Sequence, residues 1–449
     1  MAITIRQEPT SPNQGNSNLV YVVTSNTSSS PQYQFICDIK DESNTLIQRI
    51  KQQPNPSAKG VFDIGQLIPN QLGPTDKAWY TTTPQTNSFS GGDFKVFFGE
   101  EYGSSTTSTS SIYDGNGNVG DPAVSASDYY FLLDGLANPN DLVNWNWNSG
   151  SKYGEEDATD DVTFNHQFGL TNFNTSSVQA GDYGTISFLR GNLLGGANVS
   201  TRAQDVFSAT YRQYSADGTL LDTDILYDTF TGLRSSSAQF WGDVYTLQDE
   251  STRLVHYPAG PQNLEDVGVP ILANTAYYTI TFNAQGTDTT PNENGVWGVY
   301  TYNIVDPNCA FDRTRFAWKN EYGVWDYFNF TLAETTTSNV ERQEYKQTFV
   351  DYSTTTNSVT YDKARRGRNN YYNKVNKLKT ANTDFLNQAD ADNLRELFFS
   401  TDVYVQSGSE FLPIVIDNAS VVEKTNPRSQ KLFRYEVQYQ LANEIRVRR

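Results

Sequence analysis

Few residues in this chain could do chemistry. Histidine occurs twice, at His166 and His256, so a Ser/His/Asp triad or a multi-histidine metal site lacks the material it needs. The acidic run GEEDATDD, Glu155 to Asp161, could chelate a hard cation or supply paired carboxylates for glycoside hydrolysis. No second, isolated acid is fixed at the required distance, and the run reads as a solvated loop. The stretch DGNGNVGDPAVS sets Asp114, Asn116 and Asn118 at calcium-loop spacing. The match ends where Val119 replaces the sharp-turn glycine and Ser125 the bidentate glutamate, so a hairpin turn is expected instead. There is no phosphate-binding glycine loop followed by lysine and no dinucleotide fingerprint. The sequence therefore assigns no catalytic, cofactor-binding or metal-binding residue, and the expectation is a protein that is not an enzyme.

Binding chemistry has more candidates. LVNWNWNSGSKYG puts Trp145 and Trp147 on one face of an extended segment; stacked rings on a polar loop are a way to grip a sugar, and the plain alternative is that they cover a core or subunit contact. KARRGRNNYYNKVNKLK gathers Lys363, Arg365, Arg366, Arg368, Lys374, Lys377 and Lys379 around Tyr371 and Tyr372. Basic residues interleaved with rings could touch single-stranded nucleic acid. The formal net charge of −18 makes nucleic acid an unfavoured main partner, and a docking arm for an acidic neighbour is expected. The charge is also uneven. Residues 311–449 hold 20 basic and 18 acidic side chains, which leaves 13 and 33 for residues 1–310, so the two parts carry +2 and −20. In FDRTRFAWKNEYGVWDYFNF, Phe316 and Trp318 share one face of a strand, Asn320–Gly323 makes a turn, and Trp325 and Tyr327 share one face of the returning strand. Each large ring can bury roughly 150–250 Å². The expected contact surface joins Trp318, Trp325 and Tyr327 to Arg365, Arg366 and Arg368 and to the terminal Arg446, Arg448 and Arg449.

The elements that must position these groups are strands. Period-two alternation runs through the chain, as in Tyr33, Phe35, Cys37 and Ile39, or in Phe433, Tyr435, Val437, Tyr439 and Leu441. Asp217-Gly218 suits a hairpin turn that needs positive φ. VFDIGQLIPNQL reads as a helical turn ended by Pro69, and NQADADNLRELFFS as the one full helix, acidic in its first turn with Leu394, Leu397 and Phe398 on one side. A length of 449 residues suggests about three domains: an N-terminal β-sandwich-like domain over 1–120, a central β-rich domain over 121–307 and a C-terminal β domain with a short helix over 308–449. The expected class is mainly β, with antiparallel sandwich-like domains in series. Cys37 and Cys309 are expected as buried small side chains rather than a disulfide or metal pair. The N-terminus lacks a signal-peptide pattern and no 18-residue apolar run occurs, so the expectation is a chain made in a cytoplasm without a membrane anchor.

LVYVVTSNTSSSPQYQFICDI, NPSAKGVFDIGQLI, DFKVFFGEEYG, DYGTISFLRGN and FAWKNEYGVWDYFNF resemble stretches of virion structural proteins from tailed bacteriophages, of the uncultured marine type. The resemblance runs along most of the chain and brings no catalytic motif. It implies β-rich domains assembling as a symmetric homo-oligomer in a tail, baseplate or head-to-tail adaptor, with other copies and other virion proteins as partners. Capsid association, glycan-binding receptor recognition by a fibre or spike, and glycan degradation are the alternatives it leaves open.

Overall fold

The computed structural model describes residues 3–9, 13–14, 18–41, 44–65, 67, 78–80, 85–87, 91–126, 130–133, 135, 169–189, 206–227, 254–284, 296–305, 313–348, 350–361, 364, 367–418, 433–442 and 445–448. The chain is mainly β, in several separate sheets. It divides into two compact units: residues 1–306 with 318–327, and residues 307–317 with 328–449.

The first unit opens with a sandwich. Strands Ile3–Gln7, Val20–Ser25 and Lys59–Asp63 form a three-stranded antiparallel sheet. It faces a seven-stranded sheet in which Gly91–Tyr102 is flanked by Gln34–Lys40 on one side and Tyr130–Leu133 on the other. The alternation dictates the packing: Tyr33, Phe35, Cys37 and Ile39 all enter a core with Tyr21, Phe62 and Phe98. The opposite face of the same strand is also buried, because Asp38 is held bidentately by Arg49 at 2.6 and 2.7 Å across the strand pair. Pairing crosses residue 120, since Val124–Ser125 and Tyr130–Leu133 both join Gly91–Tyr102. Val61 and Phe62 lie in the strand Lys59–Asp63, so the expected helical turn does not begin at VFD; a partner strand with its own alternating burial outweighs local helical spacing.

A second sandwich follows within the same unit. Its five-stranded sheet runs in the order Thr175–Val178, Val296–Ile304, Tyr277–Ala284, Val206–Tyr214, Leu220–Tyr227. Thr185–Leu189, Leu254–Pro258 and Gln85–Asn87 make a three-stranded sheet. Tyr211, Tyr257, Tyr278, Phe188, Phe282 and Tyr300 fill the core. Gly218 takes φ +83° in the turn between Val206–Tyr214 and Leu220–Tyr227, as the Asp217-Gly218 pair predicts. A short helix, Pro261–Asp266, begins with proline in its first turn after Gly260. That proline was a readable start signal which strand alternation alone passes over.

The second unit is built on an eight-stranded sheet. Its order is Trp325–Phe330, Thr314–Lys319, Val403–Ser407, Glu410–Ile416, Glu436–Leu441, Arg368–Asn382 and Thr335–Lys346, with Ile445–Arg448 also paired to Arg368–Asn382. Helix Gln388–Phe399 starts where Asn387 accepts a hydrogen bond from the Asp390 N–H at 2.8 Å. It buries Ala391, Leu394 and Leu397, with Phe398 against Tyr435. No helix among the described residues is long and apolar enough to cross a membrane.

Candidate interaction surface

Among the described residues, three buried polar clusters contain the groups most able to do chemistry, and each is closed to solvent. Glu100 lies in the first sandwich core, where one carboxylate oxygen accepts from Ser25 Oγ, Thr27 Oγ1 and the Tyr33 hydroxyl at 2.6, 2.5 and 2.9 Å. Burial, with Glu100 beside it, pushes the Tyr33 phenol far above its ordinary range. Ser187 Oγ and His256 Nδ1 share a hydrogen bond of 2.7 Å across adjacent strands. Both are buried, and burial holds the imidazole down at about 4, so it is neutral near pH 7. A nucleophile–base pair needs a reachable substrate position beside it; this one stands inside the second sandwich. Thr171 donates to Asp326 at 2.5 Å, and the Asn320 amide reaches the Leu170 carbonyl and Asp326 at 2.7 and 3.0 Å. These bonds fasten a turn. Among the described residues no three His, Cys, Asp or Glu side chains gather as a metal site. Asp114 accepts from the Asn116 and Asn118 N–H groups and the Asn118 amide at 2.7 to 3.0 Å, which spends its oxygens on the loop's own turn.

The rings expected at a contact surface belong to the interior. Trp318, Trp325 and Tyr327 are 0, 3 and 9% exposed. Trp318 packs edge-on against Phe173, Trp325 against Trp79, and the Tyr327 hydroxyl bonds Thr185 at 3.1 Å. The expectation of an intersubunit role for these three is therefore corrected: their area is already used within the first unit. The hairpin itself is as read. Asn320 Oδ1 accepts from the Tyr322 and Val324 N–H groups, and Gly323 takes φ +76°. Trp145, Trp147, Glu155–Asp161, His166, Cys309, Lys363, Arg365, Arg366 and Arg449 lie outside the described residues. Cys37 is buried and free.

What the fold leaves uncovered is a ribbon. Thr335–Lys346 pairs antiparallel with Arg368–Asn382 from Thr335↔Thr380 to Lys346↔Arg368, and Val350–Ser353 with Ser358–Tyr361 forms a further hairpin between them. All twelve residues of the outer strand are exposed. It is the last strand of its sheet, so its outer backbone edge has no described partner strand. The sequence TTTSNVERQEYK explains this, because neither alternate set is apolar and neither face can be drawn into a core. Charged residues along such an edge also discourage uncontrolled pairing. Exposed apolar area is nonetheless concentrated here. Tyr345, Tyr352, Tyr361 and Tyr371 are 44 to 71% exposed, with Val340 and Val359 beside them. Tyr371 is the extra residue of a bulge, since Gln343 pairs with Tyr372 and Glu344 with Asn370. Its ring meets that of Tyr345 at 6.2 Å.

Register places four of the ribbon's cations on one face, with Glu344 among them. Arg342 and Lys346 alternate to the same side as Lys377, which stands opposite Ser338, and Arg368, which stands opposite Lys346. All four are exposed. Lys379 shares that side but serves the ribbon's base: it donates to Glu334 at 2.6 Å, and Glu334 also accepts from Tyr439 at 2.5 Å and Thr314 at 3.0 Å. Burial would raise the Glu334 carboxyl, but the bonds from Lys379, Tyr439 and Thr314 outweigh it and hold the group below its ordinary value. Ile445–Arg448 adds beside Arg368–Asn382, placing Arg446 opposite Lys374 and Arg448 opposite Tyr372 in register. Of the arginines expected in a contact surface, Arg368, Arg446 and Arg448 thus meet on one ribbon. No protein-family model matches the chain, and no similarity to a curated protein reaches significance.

Proposed function

We propose that the chain is a non-enzymatic structural component of a bacteriophage particle, a tail, baseplate or adaptor protein that assembles as a symmetric homo-oligomer. The observation that carries this reading is the exposed ribbon, residues 335–382. A twelve-residue strand exposed throughout, bearing tyrosine and arginine, has the composition of a protein–protein contact. Closed symmetric assembly gives such a surface a partner on every copy. The buried state of Ser187 and His256 and the turn-forming role of Asp114 support a structural rather than a catalytic part. The serial sequence resemblance supplies the particle context, and the virion is the proposed location. The full chain is purified and its mass measured by sedimentation across micromolar concentrations, with negative-stain images of the product. A closed ring or spike of fixed copy number is expected. A monomer throughout, or a chain that binds glycans on an array without self-associating, overturns the reading in favour of receptor recognition.

A further inference from the structure

The four cations share their ribbon face with one acidic residue, Glu344, which stands between Arg342 and Lys346 in register, so the face remains net basic. Among the described residues no carboxylate pairs with Arg342, Lys346, Arg368 or Lys377, whereas Lys51 and Lys379 each hold a glutamate and Arg49 holds two aspartates. Residues 335–382 contain nine Lys or Arg and four Asp or Glu, a net +5 in a chain of −18, so everything outside the ribbon sums to −23. Most of that negative charge belongs to residues 1–310, at −20. The opposite face is ring-bearing and less densely basic: Glu341 stands directly across from Lys374, Tyr345 lies on the same side, and Arg446 and Arg448 hold the register positions beside Lys374 and Tyr372.

We propose that the basic face of the ribbon, marked by Arg342, Lys346, Arg368 and Lys377, docks onto the acidic first unit of a second copy of this chain. The proposal rests on the homo-oligomeric reading above and adds to it the face, the partner region and the force. Opposite potentials steer the encounter and fix its orientation, while the large negative charge of the remainder disfavours contacts between first units. A surface that meets a different surface on the next copy is heterologous, so rotation decides between a ring and an open stack.

Sedimentation of the full-length protein tests this at about 50 and 500 mM salt, a range over which screening of exposed charges becomes nearly complete. The comparison is a variant carrying Arg342→Glu, Lys346→Glu, Arg368→Glu and Lys377→Glu. Wild-type association is expected to weaken with salt, and the variant to lose about tenfold or more in Kd at low salt. Circular dichroism checks the fold; if the glutamate variant is misfolded, the corresponding four-glutamine variant is measured in its place. Carbodiimide cross-linking of mixed light and heavy isotope copies should join Lys346 or Lys377 to carboxylates within residues 1–306 of the other copy. Cross-links confined to residues 307–449 overturn the assignment of the acceptor. A wild-type oligomer whose Kd and salt response the variant leaves unchanged overturns the docking alone and leaves the homo-oligomer standing. A wild-type monomer overturns both. If the chain instead captures a labelled single-stranded oligonucleotide through these four residues, with self-association unaffected, the ribbon is a nucleic-acid contact and the proposal falls.

Discussion

Two neighbouring hairpins, 314–330 and 335–382, use similar residue types and meet opposite fates. In the first, Phe316, Trp318, Tyr322, Trp325, Tyr327 and Phe330 are all 9% exposed or less, and even Arg315 and Lys319 are buried. In the second, four tyrosines are 44% exposed or more. The number of rings does not separate core from surface; their interleaving does. The first hairpin alternates rings with Ala317 and Val324, and its polar members have partners, as when Arg315 donates to Asn329 at 3.1 Å. The ribbon alternates its rings with Asn, Gln, Thr and Lys, so burying either face would strand polar groups. A ring that cannot be buried by its own chain is available to another.

The strongest way to break this contrast is to delete one ring from each hairpin. Trp318→Ala is expected to cost about 3–5 kcal/mol in denaturant unfolding of the full chain, because the ring is fully enclosed. Trp318→Phe should recover part of this, since the Trp318 indole N–H is buried without a partner. If Trp318→Ala leaves the unfolding midpoint unchanged, the buried assignment is wrong.

Next in size is a pH effect confined to the interior. His256 titrates at about 4 in the fold because burial penalises the imidazolium, against an ordinary value of about 6.5. The unfolded ring therefore binds a proton that the folded ring refuses between these values. Stability is lost as pH falls from about 6.5, and the loss levels off near 4, for a total of about 3 kcal/mol. His256→Gln should remove that part of the slope, with carboxylate titration common to both proteins cancelling in the difference. Equal pH slopes in the two proteins would mean that His256 is hydrated.

How much was legible varied with the range of the cause. Local signals read correctly for the most part: the Phe433–Leu441 alternation buries Phe433, Val437 and Tyr439 but leaves Leu441 at its end 40% exposed, Asn387 caps the helix, and Gly218 and Gly323 take positive φ. The mainly β class followed from the same alternation. Long-range partners did not read. Glu334 gathers Thr314, Lys379 and Tyr439, which are 20, 45 and 105 residues away, and no spacing announces that. For the same reason Lys379 looked like one more member of a basic cluster when it is the ribbon's anchor. Trp318 looked like contact area because Phe173, its cover, is remote in sequence.

Two smaller effects probe the junctions. Glu334→Gln removes the charged acceptor at the ribbon's base and should cost about 1–2 kcal/mol. Because its carboxyl is held below the ordinary value, this contribution is present above about 4.3 and disappears as pH falls through the lowered folded value. Hydrogen exchange of the amides in 335–346 and 379–382 should rise in the variant; unchanged protection there would remove Glu334 from the anchor. At the tip of the buried hairpin, Gly323→Ala should cost about 1 kcal/mol, since φ +76° strains any residue with a Cβ.

The smallest stability effect carries the most information about assembly. Tyr345→Ser and Tyr371→Ser, alone or together, should alter unfolding by less than about 0.5 kcal/mol each, because the rings are 44 and 52% exposed and touch chiefly each other. They stand on the face opposite Arg342 and Lys377, so docking by the basic face alone should leave the self-association Kd of the double variant near that of wild type. If the double variant weakens association as much as reversal of the four cations does, both faces are engaged and the ribbon is sandwiched between neighbours. If instead it unfolds the chain at lower denaturant, the rings serve a core and the contrast between the two hairpins disappears. Unfolding midpoint and association constant measured on one preparation separate these outcomes, because a surface ring contributes to the second without the first.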